Sequence, residues 1–140
     1  KKRMLFNPEE SIDFNGNTGP FIQYTYARIQ SILNKYHSKE YNLNNNFSIL
    51  KQEKEMIKYI CRFPLIISEA ANNYNPAIVG NYIYDLVKIY NNYYQNTSIL
   101  NLQDQEESLI ISFRVALSDM VGHIIKKSSW MLGFSVPNKM

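Results

Sequence analysis

Cysteine is nearly missing from this sequence: Cys61 stands alone among 140 residues. A single thiol excludes an intrachain disulfide framework and any zinc site built from several cysteines, and it fits a reducing, cytoplasmic setting. Histidine is almost as scarce. His37 and His123 lie far apart, with no cysteine or second histidine at metal-ligand spacing, so no metal site is expected. The two glycines of "GNTG" are not followed by the lysine that a phosphate-binding loop requires. No set of side chains forms a catalytic constellation. The chain also lacks an apolar run near the roughly 18 residues that span a bilayer, and its opening "KKRMLFNPEES" lacks the apolar core of a secretion signal. A soluble chain with no membrane partner is expected. It starts on Lys1-Lys2-Arg3 rather than on methionine, as a piece cut from a larger protein would.

What is present is enough apolar material for one core. Hydrophobic residues make up 45% of the chain, and no shift in composition argues for two units. The net charge of +3 is a mild basic excess that permits a polyanionic partner. Residues 1–15 read as a linker and 16–140 as a helical domain. Pro8, Gly16 and Gly19 keep the lead-in extended and end it in a turn. Pro20 then suits a first helical position, with Thr18 or Gly19 as cap. From there Ile22, Tyr26, Ile29, Leu33 and Tyr36 recur at steps of four, three, four and three, which places them within about 40° of one line on a helix.

The asparagine-rich stretch around Asn44 to Asn46 reads as a surface loop. A second helix is expected after Ser48 as its cap, with Ile49, Leu50, Glu53, Ile57, Ile60 and Cys61 recurring, and it ends before Pro64. A short third helix starts at Pro64. Asn75-Pro76 then punctuates before a fourth, Ala77 to about Tyr94, whose inner face is Ile78, Tyr82, Leu86, Ile89 and Tyr93. "QNTSILNLQDQ" is a loop, and a fifth helix is expected from about Asp104 to Trp130. Leu109 or Ile110, Phe113, Leu117, Met120 and Ile124 should face inward, with Glu106 and Glu107 in a solvated first turn. No period-two strand pattern appears, so the class is all-α, a bundle of about five helices.

The first helix carries a second face. Phe21, Tyr24 and Arg28 lie about 100° to 160° from the core line, with Lys35 two turns beyond Arg28. Aromatic rings stack on bases and arginine pairs with phosphates, so this flank has the composition of a single-stranded RNA platform. Its competing reading is packing: Phe21 and Tyr24 against a neighbouring helix, and Arg28 tied to a carboxylate such as Asp85 or Asp119. A third use of the same flank is a protein-interaction module that docks a partner helix through Phe21 and Tyr24. Lys126 and Lys127 late in the fifth helix either meet RNA phosphates or complement the helix dipole. Tyr84 and Lys88 suit a solvated face or an interdomain contact, and Lys1, Lys2 and Arg3 suit a solvated linker.

"FNGNTGPFIQYTYARIQSIL" closely resembles the junction between the catalytic core and the anticodon-binding domain of arginyl-tRNA synthetases. The family pattern there is Gly-Asn/Asp-Thr-Gly-Pro-aromatic-aliphatic-Gln-Tyr-x-x-x-Arg, and Gly16 to Arg28 match it at every defined position. "NPAIVGNYIYDLVKIYNNYY" is similar to the family's central helix, "FRVALSDMVGHIIKKSSWMLGFSVPNKM" to its closing helix and tail, and "RMLFNPEESIDF" to the segment after the ATP-site signature.

The resemblance implies a DALR-type, all-α anticodon-binding domain at the C-terminal end of an arginine-tRNA ligase. It implies that Gly16, Asn17, Thr18, Gly19 and Pro20 support the anticodon loop, that Phe21, Tyr24 and Arg28 contact it, and that Met140 matches the family's terminal methionine. Lys126 and Lys127 would meet the anticodon stem. The loop before the last helix carries no aromatic, although some members of the family use an aromatic pair there. The implied partners are tRNA(Arg) and a catalytic domain of the same chain, in a cytoplasmic monomer. The family's two catalytic signatures are absent from this stretch. ATP and magnesium therefore belong to the parent enzyme, and this fragment is expected to hold no cofactor and no catalytic residue.

Overall fold

The computed structural model describes Pro8 and residues 18–36, 48–100 and 107–140. Gly16, Asn17, His37, the asparagine run, Glu106 and the basic triplet at the start lie outside the described residues. Among those described there are five helices and no strand: α1 Gly19–Lys35, α2 Lys51–Cys61, α3 Phe63–Asn72, α4 Ala77–Asn96 and α5 Glu107–Met131. Arg62, between α2 and α3, is itself in the right-handed helical region. The pair therefore acts as one bent helix, and the bundle has four rods.

The punctuation works as the residue types dictate. Thr18 is extended, and its Oγ1 accepts the Phe21 N–H at 3.4 Å, which pairs one amide of the first turn. Pro20 follows inside that turn, where its missing N–H costs nothing. Pro64 opens α3 in the same way. At α2 the expected cap moves. Ser48 is not the N-cap; Leu50 is, and the carboxylate of Glu53 reaches back to accept the Leu50 N–H at 2.8 Å. A glutamate three residues into a helix can do this without a hydroxyl at the cap. Leu50 and Cys61 are exposed, and the buried residues of α2 are Glu53 and Met56. Leu50 precedes the helix, so the regular spacing does not carry it inward.

α4 is the central rod and packs against all four other helices. Its inner face includes the expected Tyr82, Leu86 and Tyr93, widened by Val79, Ile83, Val87 and Tyr90, while Ile78 and Ile89 sit half-buried at the edges. Burial pushes the phenols of Tyr82, Tyr90 and Tyr93 well above their ordinary range, and the nearby Glu53 carboxylate adds to the effect at Tyr93.

On α5 the expected inner face is corrected. Leu117 and Ile124 are buried, but Met120 is 52% exposed. Its place is taken by Val115, Ser118, Val121, Gly122, Ile125, Ser128 and Ser129, which are buried. Small residues let two backbones approach closely. A Cβ added at Gly122 would lie 3.1 Å from Cγ2 of Ile29 on α1, tighter than ordinary packing. Serines in the seam hid the stripe from a count of apolar residues. α5 also carries more apolar length than its interrupted runs suggest. Its stretch Ser108–Met131 is long and apolar enough to cross a bilayer by length and composition, but 44% of the apolar window is buried within the bundle.

One polar cluster is enclosed where α2, α4 and α5 meet. Arg114 Nε lies 2.9 Å from Glu53 Oε1, the Tyr93 hydroxyl donates to the same oxygen at 2.9 Å, and Arg114 Nη1 donates to the Ser98 carbonyl at 2.7 Å. The side chains of Arg114 and Glu53 are 12% and 2% exposed, so each charge depends on the other.

Candidate nucleic-acid interface

The non-core flank of α1 faces an open groove of about 540 Å³. Its opposite walls are the end of α4, the segment 97–100 and the C-terminal tail. After α5 the chain turns at Gly133, whose φ of 84° is in the left-handed region that glycine favours. It then runs back beside α1, where Gln23 Nε2 donates to the Ser135 carbonyl at 2.8 Å. The tail thereby brings Lys139 and Met140 to the groove that Tyr24, Arg28 and Lys35 line from α1.

Arg28 is the centre of the site. Its guanidinium carbon lies 4.8 Å from the centroid of the Tyr24 ring and 4.6 Å from that of Tyr94, close enough for a cation-π contact with each. Its Nη1 donates to Asn91 Oδ1 at 2.6 Å. The carboxylate partner considered from sequence is therefore corrected: neither Asp85 nor Asp119 holds Arg28, and the neutral Asn91 does. Tyr24 and Tyr94 are 45% and 38% exposed, so both rings keep surface toward the groove. Among the described residues the groove is lined by the three cations Arg28, Lys35 and Lys139 and by no aspartate or glutamate side chain. Such a surface favours an anion and offers rings on which bases can stack.

The structure thus joins Tyr24, Arg28, Lys35 and Met140, and it separates the other described ones. Phe21 is half-buried and packs on Tyr84 of α4, with ring centroids 5.7 Å apart, so packing claims it. This also halves the flank on which a protein-docking module would depend. Thr18 is the helix cap, and Gly19 and Pro20 form the first turn beside it. Lys126 and Lys127 are exposed on α5 and do not line the groove. Lys88 sits 5.4 Å from the Tyr84 ring centroid, and His123 lies 3.1 Å from Asp119 on its own helix. Among the described residues no three His, Cys, Asp or Glu side chains gather to hold a metal ion.

Tyr94, Asn91 and Lys139 were missed from sequence. The signal for Tyr94 was the pair Tyr93-Tyr94, since two adjacent rings on a helix point about 100° apart and only one can enter the core. Asn91 gave no signal.

The family model for the DALR anticodon binding domain matches residues 22–140. The chain belongs to that family. Its whole length is 51% identical to part of the arginine-tRNA ligase of Flavobacterium psychrophilum and 46% identical to that of Phocaeicola vulgatus. The chain spans only 23% of the length of each of these curated relatives. The fold of this DALR domain superposes on Thermus thermophilus arginyl-tRNA synthetase with a TM-score of 0.85 at 26% identity, covering all of this chain and 24% of that one. With arginyl-tRNA synthetase from Plasmodium falciparum the TM-score is 0.76 at 25% identity, over 96% of this chain and 23% of that one.

Proposed function

We propose that this DALR domain is the anticodon-binding end of an arginine-tRNA ligase and that it holds the anticodon loop of tRNA(Arg) in the groove between α1, α4 and the tail. The observation that carries the reading is Arg28, held between two exposed tyrosine rings in a groove whose described lining has three cations and no acidic side chain. Residues 1–15 act as the linker and 16–140 as the recognition domain. Gly16, Asn17, Thr18, Gly19 and Pro20 support the anticodon loop, while Tyr24, Arg28, Tyr94 and Met140 contact it. Lys126 and Lys127, exposed on α5, offer phosphate contacts to the stem, and Phe21 supports the site from behind by fixing α1 on α4.

The domain's role is positioning. In the parent enzyme arginine is activated with ATP and magnesium and passed to the far end of the tRNA, in a part of the protein outside this chain. Binding at the anticodon holds the tRNA in one orientation, which makes the transfer step effectively intramolecular. The parent works as a cytoplasmic monomer.

A titration tests this. The chain should bind a tRNA(Arg) anticodon stem-loop more tightly than a stem-loop with a scrambled loop, and the affinity should fall steeply with salt, because each phosphate neutralised releases counterions. Arg28→Ala should leave the fold intact and weaken binding by about 1–3 kcal/mol, the range for charge-assisted contacts. Equal affinity for the two loops, or an Arg28→Ala variant that binds like the parent chain, overturns the reading.

A further inference from the structure

The hydrogen bonds around Arg28 form a closed chain with only one consistent direction. A guanidinium can donate but not accept, so Asn91 must turn its oxygen toward Arg28 Nη1, as it does at 2.6 Å. The Asn91 amide nitrogen then needs an acceptor and finds Thr25 Oγ1 at 2.8 Å. The Thr25 hydroxyl passes the pattern on by donating to the Phe21 carbonyl at 3.0 Å. Asn91 on α4 therefore bridges two side chains of α1 that lie three residues apart, and the chain of donors ends on the backbone of α1 itself. Among the described residues the ion pairs are Arg114 with Glu53 and His123 with Asp119, and Arg28 takes part in neither.

We propose that Asn91 is a positioning residue that fixes the Arg28 guanidinium between the Tyr24 and Tyr94 rings without cancelling its charge, so that the groove keeps a full positive charge for an RNA backbone phosphate. This rests on the groove being an RNA site. An aspartate in the same place would offer an oxygen of the same geometry and would hold Arg28 at least as firmly. It would also close the guanidinium into an ion pair, as Glu53 does to Arg114, and would set a negative charge in a groove that has no acidic side chain among the described residues. An asparagine does the first task and avoids the second.

Three variants of the chain, titrated with a tRNA(Arg) anticodon stem-loop across a range of salt, test the assignment. Asn91→Asp should keep or raise the thermal midpoint, weaken binding by about tenfold and reduce the salt slope by the share of one phosphate, about 0.7 for a single strand. Asn91→Ala keeps the charge and loses the orientation, so it should bind a few-fold more weakly with an unchanged salt slope. Arg28→Ala is the reference for the site. If Arg28→Ala binds normally, the RNA reading of the groove fails. If Arg28→Ala is weakened but Asn91→Asp binds like the parent chain, or if Asn91→Ala flattens the salt slope as much as Asn91→Asp, only the role of Asn91 is overturned. Should Asn91→Asp fail to fold, parent-like binding by Asn91→Ala overturns it alone.

Discussion

Two arginines cross from one helix to another in this bundle, and they are held in opposite ways. Arg114 reaches from α5 to a carboxylate on α2, Glu53, in a cluster closed by Tyr93 and the Ser98 carbonyl. Arg28 reaches from α1 to an amide on α4, Asn91, and is flanked by two rings that keep surface in the groove. In the first cluster every charge is answered from within the chain. In the second a positive charge is oriented and left unanswered by any described carboxylate. The contrast separates an arginine committed to the fold from one whose charge faces the groove, although both stand at helix seams and both make short hydrogen bonds.

The largest effect that would test this contrast is on stability. Glu53→Ala removes the partner of Arg114, the acceptor of the Tyr93 hydroxyl and the acceptor at the start of α2 in one step. It should lower stability by about 3–5 kcal/mol, as breaking a buried pair does, and show as a large drop in the thermal midpoint. The fraction that remains folded should bind the stem-loop with unchanged affinity. A small drop in midpoint would put Glu53 on the same footing as Asn91 and erase the contrast.

Tyr24→Ala should show the reverse pattern. It takes away one of the two rings around Arg28, so binding of the stem-loop should weaken by about 1–3 kcal/mol, while the melting curve moves little because the ring is only half covered. Loss of the fold with normal affinity in the survivors would make Tyr24 a core residue.

The smallest effect is confined to alkaline solution. The phenols of Tyr82, Tyr90 and Tyr93 are held above their ordinary value of 10.0 in the fold, chiefly by burial. Above pH 10 the unfolded chain releases protons that the folded chain retains. Stability is therefore complete below that pH and falls as pH rises past it. Tyr93→Phe should flatten this alkaline limb in a pH series of denaturation midpoints, and an unchanged limb would show that Tyr93 does not contribute to it.

Much of the bundle was legible because its boundaries are written in residues with local meanings. Thr18 and Pro20 start α1, Pro64 starts α3, and Asn75-Pro76 precede α4, each through an effect confined to a few bonds. The inner face of α1 was legible for the same reason, since Ile22, Tyr26 and Ile29 repeat at the helical period and are buried. What stayed hidden depends on register between helices. Nothing in the neighbourhood of Asn91 indicates that it meets Arg28, because the two are 63 positions apart and touch only once α1 and α4 are packed. The α5 seam was obscured in another way. Ser118, Gly122, Ser128 and Ser129 are buried for being small rather than apolar, and a hydropathy pattern does not register size. The site was half legible: Tyr24 and Arg28 follow from α1 alone, whereas Tyr94 and Lys139 come from parts of the chain that only the packed bundle brings near.

The tail beside α1 fixes when the groove can exist. Gln23 and the Ser135 carbonyl are separated by 112 positions, and they meet across one of the longest spans in the described chain. Synthesis delivers α1 before the tail, at a pace of about 5–20 residues per second. For several seconds a growing chain therefore carries Tyr24 and Arg28 beside a wall that has not yet been made. The full groove marks a polypeptide whose bundle is already assembled.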